Sequence, residues 1–149
     1  MCFDVDDGNP DTVRAIMRGL ASCGIESRYV HVSTSGGKGY HVEVFFDYPV
    51  ETWKLKRVYD WIIAEMSLDR KKVEFRPTNK QAIKLPLGVH HKTGNTCWFL
   101  DKETFAPIET KTHIFDIEVF SAIKLSSIVR DLPPIKVDLA ALRESQLRK

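Results

Sequence analysis

An α+β fold, an antiparallel sheet with helices packed on one face, is predicted by three observations on this sequence. Cys2 to Asp6 alternates apolar and acidic residues with the period of a strand, and Val13, Ile16, Met17 and Leu20 then recur with the period of a helix. Tyr40 to Phe46 follows a glycine-rich turn as the return strand of a hairpin. The chain has 149 residues, which suits a single domain with one core.

The elements follow in order. In Cys2–Asp6, Phe3 and Val5 fall on one strand face and Asp4 and Asp6 on the other, so the two carboxylates are neighbours. Asn9 reads as an N-cap with Pro10 at the first helical position, and the apolar stripe ends at Gly24. Ile25 to Ser33 is a second strand, and Tyr40 to Phe46 is its antiparallel partner across the glycine-rich turn. Pro49 opens a second helix through about Met66, with Leu55, Val58, Ile62 and Met66 on the side that covers the sheet. Val73–Arg76 and Ala82–Leu85 are short strands around a turn at Pro77 to Lys80. The order βαββαβ, with another β after it, matches a ferredoxin-like or RRM-like fold, which leaves the face opposite the helices for function. Pro86 to Asn95 is a loop and Thr96 to Leu100 a further strand. Asp116–Val129 and Asp138–Arg148 read as helices separated by Pro133-Pro134.

Composition excludes several classes. The net charge is only +2 and 43% of residues are hydrophobic. The longest apolar runs fall far short of the roughly 20 residues that cross a bilayer, and Met1-Cys2-Phe3-Asp4 lacks the pattern of a signal peptide. A soluble, cytoplasmic protein with no membrane partner is the expectation. Cys2, Cys23 and Cys97 are odd in number and lack CxxC spacing, so they read as reduced thiols in or near the core. Between Arg70 and Lys92 the basic residues Arg70, Lys71, Lys72, Arg76, Lys80, Lys84 and Lys92 face one acid, Glu74. This surplus is a track for phosphates or, at Arg70 to Lys72, a solvated loop.

Chemistry concentrates in three places. Asp4 and Asp6 project the same way and suit divalent metal; Glu74, which the reading puts on a central strand between Val73 and Phe75, is the third acid. Asp7 instead caps or orients the following turn. In Thr34-Ser35-Gly36-Gly37-Lys38-Gly39-Tyr40-His41, the glycines let backbone approach a ligand, while Ser35, Lys38 and His41 add phosphate donors. Lys38 is followed by Gly39 and a strand rather than by Ser or Thr opening a helix, so this is not a Walker A loop. Lys84, placed on a strand beside that of Glu74, and His90, His91 and Lys92 in the next loop bring further cations. Neither histidine has a CxxC or HxxxH partner, which argues against zinc. Trp53, Trp61 and Trp98 can stack bases, although Trp61 at helical spacing reads as core.

Taken together, Phe3-Asp4-Val5-Asp6, then Ser35 to His41, then Val73-Glu74-Phe75 and Ile83-Lys84-Leu85-Pro86-Leu87-Gly88 resemble the archaeo-eukaryotic primase superfamily, which includes the primase-polymerases. The middle block is similar to that of the polymerase domain of bacterial end-joining ligases. The last, with His90-His91-Lys92-Thr93-Gly94, is similar to primase-polymerases of plasmids, phages and defence-associated systems. The resemblance covers about residues 2–95, leaving 96–149 as an extension of the same single domain without an assigned motif. It implies metal binding by Asp4, Asp6 and Glu74, and nucleotide binding by Ser35, Gly36, Lys38, Gly39, His41, Lys84, His90 and Lys92. The family more often has Asp as the third acid and usually carries a segment before the DxD strand. That strand begins here at residue 2, so the chain is expected to be a minimal version or a catalytic fragment.

The function expected from these readings is a template-directed nucleotidyltransferase, a DNA or RNA primase-polymerase. It would use two Mg2+ or Mn2+ ions to add an NTP or dNTP to a 3'-hydroxyl, with single-stranded DNA template and primer as partners, and it could act within a larger replication, repair or defence assembly. A non-catalytic RRM-like binding module and a metal-dependent nuclease using the same acids are the alternatives.

Overall fold

Alternation in the sequence becomes two unlike faces of one sheet in the computed structural model, which describes residues 1–135. Strands β1 (Cys2–Val5), β2 (His31–Thr34), β3 (Tyr40–Glu43) and β4 (Val73–Arg76) pair antiparallel throughout, in the spatial order β2-β3-β1-β4. Helices α1 (Pro10–Ser22) and α2 (Thr52–Glu65) connect β1 to β2 and β3 to β4. This is the ferredoxin-like arrangement that the element order predicts.

Phe3, Val5, Val32, Val42, Val73 and Phe75 bury the helix-side face together with Val13, Ile16 and Leu20 of α1 and Val58, Tyr59 and Ile62 of α2. Tyr59 ties the layers: its ring lies 5.6 Å from Phe3 and 5.5 Å from Phe75, and its hydroxyl donates to the Val73 carbonyl at 2.6 Å. A buried phenol needs such an acceptor. Gly19 lets the two helices meet, since a Cβ there would stand 2.9 Å from Ile62 Cγ2.

At the start of α1 the Asn9 side chain accepts from the Asp11 amide at 3.0 Å. Asp7 accepts from the Asn9 amide and the Thr12 hydroxyl, which fixes the turn between β1 and the helix. Asn9→Ala is expected to cost about 1 kcal/mol of stability, measurable as a lower urea midpoint with an unchanged slope.

Several elements differ from the sequence reading. Ile25–Ser33 is not one strand: a 3-10 turn at Ser27–Tyr29 precedes β2, because Tyr29 and Val30 close back onto Glu26 and Ser27. Ala82–Leu85 forms no strand. Thr78 and Gln81 bond each other in a tight turn, and residues 82–85 pair with no neighbouring strand. Lys84 is therefore on an irregular segment. Phe99 and Leu100 extend the sheet beyond β2 by isolated pairing, through the Trp98 carbonyl to Thr34 and the Leu100 amide to Val32, rather than as a full strand. The helix expected from Asp116 starts later, as α3 (Ala122–Asp131), because Ser121 caps it by accepting from Lys124. Before it, Lys111–Asp116 is a 3-10 segment. The helix expected at 138–148 lies outside the described residues. Among the described residues no helix is long and apolar enough to cross a membrane.

Candidate active site

Strand register brings residues distant in sequence into one row across the sheet face opposite the helices. Ser33 of β2 stands opposite His41 of β3, His41 opposite Asp4 of β1, and Asp4 opposite Glu74 of β4. Directly opposed residues share a face, so a hydroxyl, an imidazole and two carboxylates lie side by side. The adjacent row consists of His31, Glu43, Cys2 and Arg76.

Asp6 follows the end of β1 and completes a cluster with Asp4 and Glu74, in which one ligand oxygen from each lies within 4.8 Å of the others. Three carboxylates so close repel one another unless a cation joins them, and hard oxygen donors in that number suit Mg2+ or Mn2+. The residues fit such an ion. Glu74 joins from an edge strand, not from the central position expected, since β4 is outermost and β1 central. Partial burial, then the charges of Asp4 and Glu74, raise the Asp6 carboxyl above its ordinary value.

A cavity of about 300 Å³ opens over Asp4 and Asp6, which line it with Ser35, His41, Lys84, His90, His91, Ala82 and Ile83; Glu74 stands beside it without lining it. Although Lys84 is on no strand, the chain returns it here, where its Nζ donates to the Val89 carbonyl at 3.2 Å. His90 and His91 stack at 5.5 Å. Lys38 and Lys92 are exposed and do not line the cavity. Arg70 is engaged elsewhere, with Asp60 at 2.7 Å, so the basic run is not one continuous track.

The glycine hairpin is built differently from a loop of free amides. Ser35 Oγ accepts from the amides of Gly37 at 3.3 Å and Gly39 at 3.1 Å, and Thr34 Oγ1 accepts from Gly36. With its oxygen occupied by two donors, the Ser35 hydroxyl is left to donate into the cavity. Gly36 has φ +82°, and a Cβ there would stand 2.6 Å from His90 Cβ. Its carbonyl accepts from Thr93 Oγ1 at 2.7 Å and Asn95 Nδ2 at 3.2 Å, so the loop from His90 to Asn95 clasps the hairpin tip. Gly36 and Gly37 also wall a second cavity with Tyr40, Trp98 and Phe105.

His41 is buried, with Nε2 3.4 Å from Asp4 Oδ1 and Nδ1 without a partner among the described residues. Two residues along the same strand face, Glu43 is also buried and accepts from Ser33 Oγ at 3.1 Å. Arg76 reaches back along β4 to pair with Glu74, its Nε 3.8 Å from Asp4 Oδ2. Ser33, Glu43 and Arg76 were not singled out as site residues in the sequence. Their signal is the same period-two spacing, each lying two residues from Ser35, His41 or Glu74.

Burial raises the Glu43 carboxyl, against the opposing pull of His41, the Ser33 hydrogen bond and the N-terminal ammonium. The folded protein thus keeps this proton at a pH where the unfolded chain, with an ordinary value of 4.5, releases it. Stability from this group is complete below that value and is lost as pH rises through the higher folded one. Glu43→Gln keeps an acceptor for Ser33, so it is expected to melt at a higher temperature than the parent at pH 7 and at an equal temperature near pH 4. Thermal melts at both pH values check this.

A family model described as TOTE conflict system, Archaeo-Eukaryotic Primase domain matches residues 1–127 of the chain. No curated protein matches it.

Proposed function

The chain belongs to the archaeo-eukaryotic primase domain family of TOTE conflict systems, and from that premise we propose that it is a template-directed nucleotidyltransferase that adds NTP or dNTP to a 3'-hydroxyl. The family is one of primase-like nucleotidyltransferases. The observation that carries the finer reading is the clustering of Asp4, Asp6 and Glu74, the first two of which line a cavity together with Ser35, His41 and Lys84.

In this proposal Asp4, Asp6 and Glu74 hold two divalent ions, Mg2+ or Mn2+. When bound, such ions activate the attacking hydroxyl and neutralise charge on the departing pyrophosphate. The chain's own groups handle the nucleotide. Ser35 donates its free hydroxyl hydrogen to a phosphate oxygen, and His41, held against Asp4, presents its imidazole beside the acids. Lys84, His90 and His91 surround the phosphates with positive charge and hydrogen-bond donors. Lys38 on the exposed hairpin and Lys92 on the clasping loop add flexible ammonium groups from outside the cavity. Catalysis then consists chiefly of positioning and electrostatic stabilisation. Single-stranded template and primer are the proposed partners, and residues 1–149 are read as a single catalytic domain, whole or part of a larger assembly.

A gel assay with a single-stranded template, with and without primer, using each nucleotide type and either Mg2+ or Mn2+, tests this. Metal-dependent extension is expected. Strand binding that needs no divalent metal and gives no incorporation identifies a binding module instead, and shortening of the labelled strand identifies a nuclease.

A further inference from the structure

Among the described residues, Arg76 is the one guanidinium beside these acids, and no motif accounts for it. It projects from β4 on the same face as Glu74 and stands opposite Cys2 of β1 in register. One terminal nitrogen donates to Glu74 Oε2, Nε lies 3.8 Å from Asp4 Oδ2, and the other terminal nitrogen donates to the Phe75 carbonyl at 3.3 Å. Its side chain is only 13% exposed. Unlike lysine, arginine keeps its charge at every relevant pH, and its planar fork matches carboxylate oxygens. The oxygens it engages belong to two of the residues that would bind a metal.

We propose that Arg76 is a built-in counter-ion that makes divalent-metal binding conditional on the nucleotide. The proposal rests on the metal-site reading above and adds to it how that site is regulated. With Arg76 in place, three carboxylates and one guanidinium leave only the negative charge that a single divalent ion neutralises. A second ion is then held only if the triphosphate brings its own anionic oxygens. The same phosphates give the guanidinium an alternative bidentate partner when an ion takes Asp4 and Glu74. Metal and nucleotide therefore load together, each raising the affinity for the other by the same factor.

The test is Mn2+ binding to the intact protein, read by calorimetry and by the loss of the free-ion electron paramagnetic resonance signal, with and without a non-hydrolysable nucleoside triphosphate. Without nucleotide, Arg76→Gln is expected to bind Mn2+ about tenfold more tightly than the parent, because a neighbouring positive charge has been removed. With nucleotide the gain is expected to disappear or reverse. Arg76→Lys keeps the charge and is expected to resemble the parent without nucleotide; it also serves if the glutamine variant melts early. Equal or weaker Mn2+ binding by Arg76→Gln without nucleotide overturns the proposal, as does a gain of the same size with nucleotide. Asp4→Asn/Asp6→Asn separates the two readings. If that variant binds Mn2+ as the parent does, the metal site itself is wrong; if its binding is lost while Arg76→Gln changes nothing, only the role of Arg76 fails.

Discussion

Asp4→Asn/Asp6→Asn is expected to abolish nucleotide incorporation, a loss of at least about 10³-fold, equivalent to about 4 kcal/mol of transition-state stabilisation. Asparagine keeps the size of the side chain and one oxygen but removes the charge that binds divalent ions. The fold is expected to survive. Asp6 is exposed beyond the end of β1, and Asp4 faces away from the core formed by Phe3 and Val5. Removing two of three clustered carboxylates also relieves the repulsion that, with partial burial, raises the Asp6 carboxyl. Thermal melting in the absence of metal is therefore expected to give a midpoint no lower than the parent's. Primer-extension rates and melts on the same preparation check both halves. Incorporation at the parent's rate removes these acids from the mechanism.

The second large effect is expected at Gly39. A Cβ there would stand 2.4 Å from the Val5 carbonyl oxygen, inside any tolerable contact, and the obstacle is backbone that cannot swing aside. Gly39→Ala must therefore move the hairpin away from β1 at the point where β1 delivers Asp4 and Asp6. The Gly39 amide would also leave Ser35 Oγ, which it now approaches at 3.1 Å, and so free that hydroxyl to rotate. A misplacement of about 1 Å can cost on the order of 100-fold in rate. Incorporation is expected to fall by about that factor, whereas Gly37→Ala, whose nearest contact is an ordinary 3.8 Å to Ser35 Oγ, is expected to lose far less. Extension assays on the two variants measure the difference, and equal losses would show that flexibility rather than close approach is what the hairpin requires.

These two sites differ in how far they could be read beforehand. The DxD alternation places Asp4 and Asp6 on one face from local geometry alone, because side chains in a strand must alternate. Asn9-Pro10 and Val73–Arg76 were legible for the same reason, as caps and short alternating strands are decided within a few residues. Gly39 was legible as a glycine of the hairpin, but its close approach to the Val5 carbonyl was not, because a contact across thirty-four residues leaves no local trace. Lys84 shows the opposite error: its strand was wrong, yet the loop still returns it to the acids. The family match reaches residue 127, well past the last motif recognised near residue 95. Beyond that point the chain contributes isolated pairing beside β2 and a capped helix, neither of which needs a distinctive sequence block.

By itself the sequence determined the βαββαβ order from β1 to β4, the alternation that separates acids from core, and a hairpin with its hydroxyl, ammonium and imidazole. Those depend on periods of two and 3.6 residues and on turn chemistry, all of them local. Only the tertiary structure decided that β4 is an edge strand, that Ser33, His41, Asp4 and Glu74 form one row, and that Arg76 stands among the acids. Register between strands is set by which buried faces meet and by how closely backbones approach, so the partners of a charge are chosen by the whole core.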